Sequence, residues 1–168
     1  MMAAINIRDA VEADLPQILE IYNDVIQNTT AVYDYEPHTA DMRKKWFNDR
    51  RQDGFPVIVA TNDDEITGFG SFGFFRPWQA YRFTVEHSLY VKKERRGEGI
   101  SKLILPKLIA LAKSMGKRTM VAGIDAENMS SIKLHEQFGF VKSAHLKQVR
   151  FKFERWLDLV FYQLMLNE

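Results

Sequence analysis

FTVEHSLYVKKERRGEGIS, residues Phe83–Ser101, is the stretch from which the rest of the chain can be read. Its first nine residues alternate in the manner of a strand. Val85, Leu89 and Val91 share one face, and Glu86, Ser88 and Tyr90 share the other. A basic run follows, then glycines at 97 and 99, then an apolar helical pattern that begins at once. A chain passing from strand to glycine-bearing loop to helix can aim consecutive backbone N–H groups at an anion, and the helix N-terminus adds positive potential. Arg95, Arg96 and Lys102 bring charge to the same place. The loop has the spacing of neither a Walker loop nor a dinucleotide fingerprint, so by itself it reads equally well as a basic turn before an ordinary helix.

Glu86 tips the balance. A carboxylate on a strand that faces water needs no explanation. One half-buried beside a ligand holds its proton to higher pH and suits the work of a general base. Its position a few residues before the loop favours the base. Tyr90 lies on the same face, either as a core aromatic with a satisfied hydroxyl or as a proton donor or relay. His87 points the other way and reads as a packed, hydrogen-bonded histidine outside the site.

Outward from this stretch, apolar patterning and turn residues lay out the other elements. Ile5–Asp9 alternates as a strand, and Asp14 before Leu15-Pro16 reads as a helix cap with proline in the first turn. Leu15, Ile18, Leu19, Tyr22, Val25 and Ile26 give a helical stripe that fades near Asn28. Thr39 or Asp41 is expected to cap a second helix through about Arg51. Residues 55–60 and 66–75 flank the polar turn 62–65 as a hairpin, with Gly68, Gly70 and Gly73 predicting close packing against that strand. Residues 76–82 read as a loop opening into the Glu86 strand. Beyond Ser101 come a helix interrupted by Pro106 and stopped near Gly116, a buried strand over 118–125, and a helix over 128–138 closed by Gly139. Two final extended runs, 140–149 and 157–166, are expected to pair antiparallel, joined by the charged aromatic segment 150–156.

Composition bounds the possibilities. The 168 residues, 46% hydrophobic and 12% aromatic, suit one globular domain over the whole chain, 1–168. A net charge of +1 with both signs interspersed argues against a nucleic-acid or membrane partner. The chain has no cysteine, and its four histidines lack metal-ligand spacing, so no metal is expected. No apolar run is long enough to cross a bilayer, and a cytoplasmic location is expected.

Residues 83–101 and 125–140 together resemble the GNAT superfamily of acetyl-CoA-dependent N-acetyltransferases. Arg96, Gly99 and Ser101 occupy the fixed positions of its [QR]-x-x-G-x-[GA] loop, Ser101 being a small departure that keeps its N–H. Asn128, Ser131, Leu134, His135, Glu136, Gly139 and Phe140 resemble the helix that packs along the cofactor. Arg8-Asp9-Ala10, Ile21-Tyr22-Asn23, Glu36-Pro37, Trp78, Ala80-Tyr81 and Phe151 to Trp156 extend the resemblance to the phosphinothricin and methionine sulfoximine acetyltransferase branch. The resemblance implies an α/β (α+β) GNAT fold, a single mixed, mostly antiparallel twisted sheet of about six to seven strands flanked by about four helices. It further implies a homodimer and a small amino-acid-like acceptor.

By the same resemblance, acetyl-CoA is expected along Leu89, Tyr90 and Val91, at Arg95, Arg96, Gly97, Glu98, Gly99, Ile100, Ser101 and Lys102, and against Asn128, Ser131 and His135. Glu86 is implied as general base, acting directly or through water, with a strand N–H near Ser88 to Tyr90 polarising the carbonyl. Tyr90 or His135 is left to protonate the departing thiolate. Arg76 and Arg82 are expected substrate ligands, or else solvated loop arginines. Tyr33 and Tyr35 resemble pocket walls, with core packing the alternative. Two other functions fit the chain: acetylation of a peptide N-terminus, polyamine or aminoglycoside, and a non-catalytic acyl-CoA-binding module.

Overall fold

The computed structural model describes residues 4–167. Seven strands form one sheet in the order β1 (Asn6–Asp9), β2 (Val57–Asn62), β3 (Glu65–Phe74), β4 (Thr84–Val91), β5 (Thr119–Asp125), β7 (Arg155–Met165), β6 (Val141–Lys152). Every neighbouring pair is antiparallel except β4 and β5. Four α-helices cover the faces: α1 (Leu15–Asn28), α2 (Ala40–Gln52), α3 (Ser101–Ser114) and α4 (Met129–Gln137).

The alternation of β4 assigns the layers. Val85 joins the core beneath α3 and α4 with Ile104, Leu105, Leu108 and Ile132. Tyr90, on the opposite face, packs on the core of α1 and α2 around Ile18, Ile21, Phe47 and Phe69. Gly68 and Gly70 let α3 lie close, since a Cβ on Gly70 would sit 2.8 Å from the Ile104 side chain. Gly73 has another neighbour, taken up below.

Two local expectations change, and a third is settled between its alternatives. Asp14 stands at the start of α1, but its carboxylate caps nothing in the helix. It accepts two hydrogen bonds from Arg8, at 2.7 and 2.9 Å, and one from the Val11 N–H at 2.8 Å. The bidentate guanidinium outcompetes a helix N–H for a carboxylate that is held well below its usual range. At α2 the cap is Thr39, which accepts from the Met42 N–H. The segment 150–156 is strand rather than connection: β6 runs to Lys152, β7 starts at Arg155, and only Phe153 and Glu154 turn, both in the left-handed region. A run this rich in charge has the composition of a loop. Arg150 and Lys152 instead donate to the Thr30 and Val32 carbonyls, so ladder pairing continues beneath them.

Candidate active site

The site arises where two strands part. β4 pairs with β5 only from Thr84 to Glu86, while β5 continues to Asp125 paired with β7 alone. From His87 onward β4 therefore has a free edge. The Lys92 N–H bonds Thr67 and the Phe75 N–H bonds Thr84, so the backbone groups of even-numbered residues face β3. Those of His87, Leu89 and Val91 face the gap. A cleft of about 920 Å³ occupies the opening, bounded by β4, the end of β5, the starts of α3 and α4, and the loop after α1.

One end of the cleft suits an anion. Gly97 and Gly99 adopt φ of 84° and 81°, a region that costs glycine little. The chain turns so that the N–H groups of residues 97–101 donate to no other group among the described residues. The helical bonds begin only with Lys102. The nearby charges are mostly spent. Arg95 pairs with Glu65 and Glu98, each at 2.9 Å, and Arg96 pairs with Asp24 at 3.2 Å. Lys102 is exposed and forms no ion pair among the described residues. Donors converge here more than net charge does, an arrangement that fits a pyrophosphate. Across the cleft, Asn128 caps α4 by accepting from the Ser131 N–H at 3.1 Å.

Glu86 sits at the crotch of the fork, half-buried. Burial raises its carboxyl above the usual range, while Arg76 and then Arg50 oppose that rise. Glycines on both sides make room. A Cβ built on Gly123 of β5 would lie 3.4 Å from Glu86 Oε1 and 3.1 Å from the Tyr33 hydroxyl. On β3, Gly73 is the direct partner of Glu86, and a Cβ there would collide with the guanidinium of Arg50.

On the other side of the sheet, His87 and His135 stack with Nε2 2.9 Å from Nε2. The His135 Nδ1 lies 2.6 Å from the Ser131 carbonyl, which can only accept, so Nδ1 carries the proton. His135 Nε2 must then accept from His87 Nε2–H. Burial, reinforced by the neighbouring imidazole, pushes His87 down to about 3, and burial lowers His135 too. Both rings are neutral, and neither nitrogen of His135 has a free proton to offer. Tyr90 also borders the cleft, packed against Tyr22 and Phe69 at ring separations of 5.6 and 5.4 Å. Burial raises its hydroxyl far above the ordinary tyrosine range, so it stays protonated.

The remaining candidates separate. Tyr33 borders the cleft beneath the Arg150 guanidinium, 4.8 Å above its ring. Tyr35 lies in a neighbouring cavity of about 570 Å³ and donates its hydroxyl to the Phe151 carbonyl. Arg76 is exposed, stacks on Phe75 at 4.2 Å and acts electrostatically on Glu86. Arg82 stacks on Phe83 at 4.6 Å; like Arg76 and Arg50 it is not among the residues that line the cleft, and of the three only Arg76 and Arg50 act electrostatically on Glu86. Arg50, Gly123 and Asp125 also belong to the surroundings of Glu86 or of the cleft, though no motif in the sequence marks them. Asp125 is buried at the end of β5, accepting from the Thr30 hydroxyl and the Glu127 N–H. The small residues in β3 and β5 were the available signal for close neighbours at Glu86.

Comparison with known proteins adds to this geometry. Residues 7–161 match the acetyltransferase (GNAT) domain family. The L-methionine sulfoximine/L-methionine sulfone acetyltransferase of Pseudomonas aeruginosa is 45% identical over 163 residues, covering 96% of this chain and 95% of that protein. The phosphinothricin N-acetyltransferase of Alcaligenes faecalis is 35% identical over 98% of this chain and 84% of its own length. The solved structure of an acetyltransferase from Salmonella typhimurium with its cofactor acetyl-CoA superposes with a TM-score of 0.96 at 42% identity, over 98% of this chain and 95% of that one.

Proposed function

Because the chain belongs to the acetyltransferase (GNAT) family, we propose that it transfers the acetyl group of acetyl-CoA to the α-amino group of a small amino acid or analogue of the methionine sulfoximine, methionine sulfone or phosphinothricin type. The observation that carries this reading is a raised, half-buried carboxylate where β4 leaves β5, with a row of free N–H donors farther along the same cleft. Acetyl-CoA, when bound, supplies an acetyl thioester. The N–H groups of residues 97–101 and Lys102 are suited to its pyrophosphate, and the free edge at Leu89 and Val91 to its pantetheine arm.

An acceptor arrives as an ammonium, which has no lone pair. Glu86 takes one proton, directly or through water, and its raised pKa brings it closer to that task than a solvated glutamate. The Leu89 N–H, facing the gap, is placed to stabilise charge gathering on the thioester oxygen. Nitrogen then bonds to the acetyl carbon as the carbon–sulfur bond breaks. The second proton that the nitrogen must lose balances the one the departing sulfur gains, passed through water beside the Tyr90 hydroxyl, which keeps its own proton; His135, with both nitrogens engaged, holds α4 against β4 instead. Bringing both reactants into one cleft supplies much of the remaining acceleration.

The cationic surroundings of Glu86 favour an acceptor that carries negative charge over a polyamine or aminoglycoside. Exposed Tyr35, Phe151, Phe153 and Trp156 on and beside the β6–β7 hairpin support a homodimer, and the enzyme acts in the cytoplasm, where acetyl-CoA is available. The test is release of free thiol from acetyl-CoA against a panel of amino acids and analogues. Turnover is expected with the sulfone or sulfoximine, and Glu86→Gln should lower it about one hundred-fold or more at neutral pH. Unchanged turnover in that variant removes Glu86 from the role of base, and binding without thiol release from any amine favours a regulatory acyl-CoA module.

A further inference from the structure

Arg50 presents a cation without an anion. It lies in the last turn of α2, its guanidinium half-buried, and its Nε is fully buried with no hydrogen-bond partner among the described residues. It forms no ion pair there either: Lys45 takes Asp49, and Asp53 acts on Arg50 only at a distance. Desolvation lowers its pKa as a result. The Trp46 ring, 6.0 Å away, stands at the far limit of a cation–π contact. Buried charges are ordinarily paired, because removal from water costs several kcal/mol that only a close partner offsets.

Its seat is specific. The guanidinium fills the space where Gly73 lacks a side chain, and Gly73 is the β3 residue directly opposite Glu86. Neighbouring strands lie about 4.8 Å apart, so the cation rests one strand's width from the base on the same sheet face. An α-amino acid carries its ammonium and carboxylate on one carbon. If the nitrogen is at Glu86, the carboxylate falls within about the same span.

We propose that Arg50 is the specificity-determining residue of the acceptor site, binding the α-carboxylate through its guanidinium in the notch left by Gly73. The inference rests on the acetyl-transfer reading above. Arg76, exposed in the loop just past β3, is then left for the acceptor's polar head.

The test compares methionine sulfone with its carboxamide, in which the carboxylate alone is neutralised. Wild-type enzyme is expected to prefer the acid in kcat/KM. In Arg50→Lys, which keeps the charge but loses the fork, and in Gly73→Ala, which keeps Arg50 but displaces it, that preference should fall about tenfold or more. The KM for acetyl-CoA, unmoved in both, serves as the folding control. Calorimetric titration of methionine sulfone into CoA-saturated protein gives a readout that does not need turnover, and its affinity should fall in both variants. An acid-to-amide preference and an affinity that match wild type in either folded variant overturn the proposal. Absence of thiol release by wild-type enzyme with any acceptor counts against the acetyl-transfer reading alone, and the calorimetric comparison still decides the role of Arg50.

Discussion

Glu86 and His87 are adjacent in sequence and opposite in situation. Glu86 faces arginines and keeps a proton longer than a solvated glutamate, so the acid limb of kcat/KM should lie above the usual carboxylate range. Glu86→Gln should abolish that limb along with most of the rate, as a pH profile of thiol release would show. His87 faces His135 and is held neutral by burial. A histidine whose folded pKa is depressed contributes stability that is full above its unfolded value of about 6.5 and is lost as pH falls toward its folded value. The structure therefore predicts loss of stability between about pH 6.5 and 3, at up to about 1.4 kcal/mol per pH unit from His87, with His135 acting in the same direction. Urea melts at pH 7.5 and 5 check the slope, which should be shallower in His87→Phe. That histidine reads from sequence as packed and hydrogen-bonded. Its partner, forty-eight residues away, is set by how α4 lies against β4.

At the scale of elements, the glycine loop and the last hairpin behave differently. Among the described residues nothing lies within 4 Å of where a Cβ on Gly97 or Gly99 would be, so a side chain there meets no clash with them. What it meets is a positive φ, costing a residue other than glycine about 1 kcal/mol or more. Gly99→Ala should disturb the N–H row without unfolding the protein, raising the KM for acetyl-CoA about tenfold while far-ultraviolet dichroism stays the same. Such a loop is legible because its conformation is written in the residues that adopt it. The β6–β7 hairpin is less so. Arg150 and Lys152 look like loop residues, yet they hold the segment that carries Tyr33 to the cleft. Replacing both with Met should loosen that segment and lower acceptor kcat/KM, leaving acetyl-CoA binding near normal by calorimetry.

For the molecule as a whole, the parting of β4 and β5 joins the two core layers through one cleft, so a ligand that fills it should stabilise the entire domain. At one hundred times its Kd, acetyl-CoA should add about 2.7 kcal/mol, a rise of about 5–10 °C in Tm for a chain of this size. Differential scanning fluorimetry against acetyl-CoA measures it. Since Arg95 and Arg96 are already paired with carboxylates, the shift should weaken only modestly between low and physiological salt. A steep loss with salt would mean that free charge, rather than N–H donors, holds the cofactor.

Legible in the chain before folding are the alternating strand around Glu86, the glycine loop after it, the helical stripes of α1 and α3, and the order of strand, helix, strand, helix that follows. Each is a local pattern, and local patterns are set by backbone geometry and by the period at which apolar side chains recur. Folding alone sets where β4 and β5 separate, which arginines act on Glu86, that both nitrogens of His135 are engaged by hydrogen bonds, and that Tyr35 and Arg82 do not line the cleft. Those outcomes depend on contacts between residues far apart in the chain. In Arg50 and Gly73 the significance of each residue exists only through the other, and the chain brings them together only by folding.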